Sequence, residues 1–225
     1  MTRKNKNKLT KKRIHEEAAF GRTRENMSEF GRAGEANRLV REAFNDVLQP
    51  ISDRYVSGRL TKRMVRIIHS DPVRARGERI VTPEALPMLE GFNFNRNKLL
   101  ADTLYAPWHL YLDHAAGLFR IHIPFFNAIT MVDTQSGADD YRLIACATAI
   151  DFENRDTKTV IQQSQHILTN DTTTRSINFS LHLPPGNTHP VILTLGVEFF
   201  GGGIPGAPIA SRYINAMAVI KVVTG

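Results

Sequence analysis

Apolar residues change their spacing along this chain near residue 99. Across 35–48, Leu39, Val40, Ala43, Phe44, Val47 and Leu48 recur at helical intervals, with Arg38, Arg41, Glu42 and Asn45 on the other face. That spacing predicts an amphipathic helix, which Pro50 ends. A second helix is expected over 57–69, with Ser57 as its cap and Leu60, Met64, Ile67 and Ile68 as its apolar stripe. The two suggest a helical hairpin whose apolar faces must pack on something else. Residues 20–34 place three glycines and three arginines around Phe20 and Phe30, and are expected to form an ordered, irregular segment anchored by those rings.

Beyond residue 99 the period becomes two. Phe119, Ile121, Ile123 and Phe125 alternate with Arg120, His122 and Pro124; Ile177, Phe179, Leu181 and Leu183 with Asn178, Ser180 and His182. Val191, Leu193, Leu195, Val197 and Phe199 mark a third strand, and each run has the pattern of a half-buried sheet. Residues 141–152, 158–166 and 213–223 add three strands, and 104–112 a possible seventh. Turn residues punctuate them at 136–140, 154–156, 184–187 and 201–208. Strands without interleaved helices predict an α+β, mainly β chain. Its body, about 100–225, is an antiparallel β-sandwich or jelly roll. The division expected is a flexible basic arm at 1–13, a helical and irregular segment at 14–98 that packs on the sandwich, and the sandwich at 99–225.

Charge adds the arm. Arg3, Lys4, Lys6, Lys8, Lys11, Lys12 and Arg13 stand together with no acid among them, in a chain of 29 basic and 22 acidic residues and net charge +7. Without those seven, 22 basic residues face 22 acidic ones, so the body sums to zero. Such a block stays solvated by self-repulsion and meets a polyanion. Arg22 and Arg24 are weighed two ways, as partners of the body's carboxylates or as phosphate contacts. No run approaches the roughly 18 apolar residues of a membrane span. The basic run is followed by Ile14-His15-Glu16-Glu17 rather than an apolar signal-peptide core.

Candidate chemistry is sparse. The single cysteine, Cys146, allows no intramolecular disulfide and sits in an apolar run that predicts a buried thiol. Gly201, Gly203 and Gly206 spell G-x-G-x-x-G, but Pro205 and Pro208 stand where a dinucleotide site needs a helix, so an interstrand loop is expected. His109, His114 and His122 lack metal-ligand spacing and are expected on strand surfaces or loops. Asp139 and Asp140 lack the alternating ligands of a calcium loop and are expected in a solvated turn. Trp108, Tyr105 and Tyr111 could line a sugar or base platform; a core edge beneath the helical hairpin is the preferred placement. No catalytic signature is visible, and neither an enzyme nor a cofactor is expected.

The block from Phe20 to Ala36 (FGRTRENMSEFGRAGEA), Leu89–Asn95 (LEGFNFN) and His189–Phe200 (HPVILTLGVEFF) resembles a family of uncharacterised bacterial and phage-like proteins. The likeness spans most of 20–223. No activity is attached to that family, so the resemblance implies no site residue. Its members begin with a glycine-rich, strand-like segment, where this chain carries its basic arm. An arm followed by a sandwich is similar in layout to small jelly-roll viral coat proteins. That layout implies a self-assembling capsid subunit, in a virion or host cytoplasm. Its arm would neutralise packaged phosphates without sequence specificity, reaching at most about 45 Å when extended. Two alternatives stand beside it: a ribosome- or nucleoid-associated nucleic-acid-binding protein, and a carbohydrate-binding sandwich.

Overall fold

The computed structural model describes residues 10–134, 137–201, 209 and 214–224. Four helices come first: α1 (Lys11–Glu16), α2 (Gly21–Ala43), α3 (Asn45–Leu48) and α4 (Val56–His69). A 3₁₀ helix, Pro83–Leu89, leads into β1 (His109–Asp113) and β2 (Leu118–Asn127), and α5 (Ala128–Met131) follows. The remaining strands are β3 (Asp140–Asp151), β4 (Asp156–Gln163), β5 (Ile167–Leu168), β6 (Thr174–His182), β7 (Val191–Phe200) and β8 (Ala216–Val223).

The strands form two antiparallel sheets, one ordered β1-β2-β6 and the other β4-β3-β7-β8, with β5 pairing on β3. The expected α+β, mainly β sandwich is therefore present. Leu143, Ala145, Leu193, Leu195 and Phe199 of the larger sheet meet Phe119, Ile121, Phe179 and Leu181 of the smaller one in a first core. The opposite face of the larger sheet holds a second core. There Ile144, Cys146, Ile150, Ile192, Met217 and Val222 pack against Val40, Phe44, Leu60, Met64, Ile67 and Ile68 of the helices. The hairpin of α2 and α4 thus finds its partner on its own sandwich, and the order is helices, large sheet, small sheet.

This layering changes the expected character of β7. It is buried at all ten positions, not half-buried, because helices cover its second face. Its polar residues are buried with it: Glu198, 4% exposed, takes the Arg142 guanidinium at 2.8 Å. Gly196 lets β8 close in, since a Cβ there would stand 2.9 Å from the Ala216 carbonyl oxygen.

Residues 21–34 are helical, not irregular. α2 buries Glu29, Ala33, Ala36, Asn37 and Val40, a helical stripe made largely of small and polar side chains, which apolar periodicity misses. Gly31 and Gly34 have open space around a notional Cβ, so neither serves a close approach. Phe30 is 63% exposed and anchors nothing, while the half-buried Phe20 ring lies 6.0 Å beneath the Arg13 guanidinium. The helix expected at 35–48 breaks at the buried Phe44 and resumes as α3. Ser57 does not cap α4. Its hydroxyl accepts from Asn37 Nδ2 at 3.0 Å, while Asp53 Oδ1 takes the Tyr55 N–H at 2.6 Å ahead of the helix.

The outer edge of β8 is covered by residues 91–94. Gly91 N–H donates to Val219 O at 2.9 Å, Phe94 N–H to Met217 O at 2.8 Å, and Val219 N–H to Phe92 O at 3.0 Å. These bonds run the 91–99 segment alongside α4.

Candidate nucleic-acid interface

α4 carries two stripes. Its buried one is Val56, Leu60, Met64, Ile67 and Ile68. Its other one is Arg59, Lys62, Arg63 and Arg66, spaced at i, i+3, i+4 and i+7, so these cations share one helical face. They form one wall of a groove of about 320 Å³; Gly91, Phe92, Asn93, Arg96 and Leu99 form the other. Among the described residues, no carboxylate lines it.

The arginines nearest the sheet are held in place. Arg59 donates to Asn93 O at 2.6 Å, to Phe94 O at 3.1 Å and to Asp53 Oδ2 at 2.6 Å, with its guanidinium 5.0 Å from the Phe92 ring centre. Arg63 donates to Met88 O at 2.8 Å. Arg96 lies 4.2 Å over the Tyr55 ring, which Arg54 also contacts. Asp53 is the hub of this arrangement, 5% exposed. Burial opposes its charge, but the Arg96 and Tyr55 N–H groups and the Arg59 guanidinium outweigh it and hold its carboxyl below the ordinary range. Arg59 is therefore neutralised. Among the described residues, no carboxylate comes within the 4.0 Å ion-pair distance of Lys62, Arg63, Arg66 or Arg96. Four uncompensated cations thus face one groove on a body whose formal charges cancel.

The arm residues Arg3, Lys4, Lys6 and Lys8 lie outside the described residues. Lys11, Lys12 and Arg13 stand in α1, capped by the Thr10 side chain. Arg13 pairs with Glu17 at 2.6 Å, and the salt bridge raises the guanidinium's pKa and lowers the carboxyl's. Arg24 pairs with no carboxylate among the described residues: its guanidinium donates to the carbonyls of Ile14 at 2.7 Å and Glu17 at 2.9 Å, tying α1 to α2. Arg22 is exposed on the first turn of α2. His69 Nε2 lies 3.1 Å from the buried Glu29, so the start of α2 and the end of α4 share one end of the helical layer.

Other candidates fall elsewhere. Cys146 is buried, and burial pushes its thiol up to about 12 against a hydrogen bond with Thr194. Asp140 is not in a solvated turn: it is 4% exposed at the head of β3, with Oδ1 2.5 Å from His166 Nδ1. His109 and His122 are cross-strand neighbours with ring centres 6.3 Å apart, and His114 Nε2 lies 2.9 Å from His189 O. Among the described residues, no three His, Cys, Asp or Glu side chains converge as metal ligands. Trp108 packs on the core between the sheets rather than beneath the helices, while Tyr105 and Tyr111 are each 53% exposed. Of the glycine-rich loop, Gly203 and Gly206 lie outside the described residues. No described helix is long and apolar enough to cross a membrane. Comparison with protein-family models, curated proteins and solved structures finds no match to the chain.

The groove stripe is legible in the sequence. Arg59, Lys62, Arg63 and Arg66 sit at helical spacing between the apolar positions of a helix the sequence predicts, and the signal is their common face. Arg96, brought in from a loop, carries no such signal.

Proposed function

We propose that this protein is a non-enzymatic, self-assembling structural subunit, a viral capsid or coat protein whose arm and helical layer contact packaged nucleic acid without sequence specificity. The observation that carries this reading is the segregation of charge. Seven cations stand in the first thirteen residues of an otherwise balanced chain, and four uncompensated cations line the α4 groove in the same helical layer. Clustered cations displace the counterions that condense on a phosphate backbone, and this gain is independent of base sequence. The sandwich supplies a rigid wall, and the outer edge strands β1 and β4 offer surfaces for copies to meet. The jelly-roll topology of small coat subunits, the kinship with phage-like proteins, and residence in a virion or host cytoplasm belong to this proposal.

The groove also favours a second reading, a nucleic-acid-binding protein that acts without assembling, because it gives the folded body a binding face of its own. Expressing the full chain beside a variant with Arg3, Lys4, Lys6 and Lys8 changed to Gln separates the two. A coat subunit yields particles by negative-stain imaging in both cases, and the variant's particles lose absorbance at 260 nm relative to 280 nm. A chain that stays monomeric at high concentration, with no particles in the producing cells, refutes the coat reading.

A further inference from the structure

The groove between α4 and residues 91–99 has a shape and chemistry that duplex recognition does not need. Arg59 and Arg66 are seven residues apart, about 10 Å along the helix. At one phosphate per roughly 3.4 Å of each strand's axis, that length faces about two or three successive phosphates. Arg63 is fixed by a backbone carbonyl and Arg96 is braced on Tyr55, so those guanidiniums lose little freedom when an anion arrives. Lys62 and Arg66 are exposed on the same wall. The facing wall is different in kind: Leu99 is 38% exposed, while Phe92 on the same wall is buried. A groove of about 320 Å³ is at the small end of ligand-sized sites, which run from about 300 to 1,000 Å³.

We propose that this groove is a second, arm-independent site for single-stranded nucleic acid. It rests on the reading of the protein as a nucleic-acid-contacting subunit and adds where on the body, and in which form, the strand is held. Phosphates lie along the Lys62–Arg66 wall, and an unpaired nucleotide sets its sugar or base against Leu99. A cationic track beside side chains that receive unstacked bases, usually aromatic ones, is the common construction for single strands, and here Leu99 takes that place. A duplex keeps the faces of its bases stacked inside, so it has no free base face to set against the Leu99 wall.

The test uses the full chain, a Lys62→Ala/Arg66→Ala variant, a Leu99→Ser variant and the arm variant Arg3→Gln/Lys4→Gln/Lys6→Gln/Lys8→Gln. Each is titrated into a fluorescein-labelled 12-nucleotide dT strand and a 12-base-pair duplex by anisotropy, from 0.05 to 0.5 M salt. Circular dichroism checks that each variant is folded. The Lys62 and Arg66 side chains make no hydrogen bond or ion pair among the described residues, so their replacement leaves the fold intact. Losing two contacts at about 0.7 per phosphate lowers the single-strand salt slope by about 1.4, which is about 25-fold in affinity at 0.1 M relative to 1 M salt. Leu99→Ser weakens the strand and leaves the duplex unchanged. An unchanged slope in Lys62→Ala/Arg66→Ala overturns the groove site while leaving the arm's role intact. Equal losses for strand and duplex in Leu99→Ser overturn the single-strand assignment. Failure of the parent chain to bind either probe overturns the underlying reading itself.

Discussion

Replacing Ile67 with Ala tests whether the helical layer and the sandwich are one cooperative body. Ile67 is fully buried in the core shared by α4 and the larger sheet. The change removes three carbons, about 2.4 kcal/mol at roughly 0.8 kcal/mol for each buried methylene. A cavity contribution of about 24 cal/mol per Å³ of unfilled space raises the total to about 3–4 kcal/mol. With a urea dependence near 3 kcal/mol per molar, at the upper end for a chain of this size, the midpoint falls by about 1 M. Two probes report different layers. Ellipticity at 222 nm follows the helices, and fluorescence of the single tryptophan, Trp108, follows the core between the two sheets. Strands β3 and β7 contribute side chains to both cores, so loosening one face loosens the other. Both probes should therefore shift together by the same amount. A tryptophan transition that stays in place while the helical signal moves would show two independent units and refute the layering argument.

Two further outcomes concern single groups. Burial opposes the charge of Asp71, yet bonds from the Val73 N–H, the Arg74 guanidinium and the Ile80 and Arg74 N–H groups overcome it and hold the carboxyl at about 2, below its ordinary 3.8. A depressed folded value means the stabilisation is complete above the unfolded value and drains as pH falls from about 5 to 2. Urea midpoints measured across that range should fall for the parent chain, and the gap between it and Asp71→Asn should close towards pH 2; a gap that stays constant contradicts the assignment. Cys146, with its thiol raised to about 12, should resist a thiol reagent at pH 8 in the folded protein and react at once in denaturant.

Much of the architecture was legible because one face of each element is strongly apolar. The α4 stripe of Leu60, Met64, Ile67 and Ile68 is buried as its spacing predicts, and the alternating runs of β2, β6 and β7 form strands. The reading failed where burial did not use large apolar residues. The start of α2 hides Glu29, Ala33 and Asn37 against α4 and the 69–77 segment, through bonds such as Glu29 Oε1 to the Gly77 N–H at 2.8 Å. Polar and small residues in such a stripe look like surface or loop to any periodicity count.

The candidate site divides the same way. Sequence alone determined the charge of the arm, the balance of the remaining chain and the shared face of Arg59, Lys62, Arg63 and Arg66, because composition and helical spacing are local properties. Tertiary structure decided that Asp53 neutralises Arg59 and that Arg96 joins the stripe across a groove. It also decided that Arg24 is spent on the carbonyls of Ile14 and Glu17. Those outcomes depend on the backbone bonds that seat residues 91–94 on β8 and on the packing of α2 against α4. Partners brought together by chain folding leave no mark in local spacing, and electrostatic compensation is set by distances of a few ångströms that only the folded chain defines.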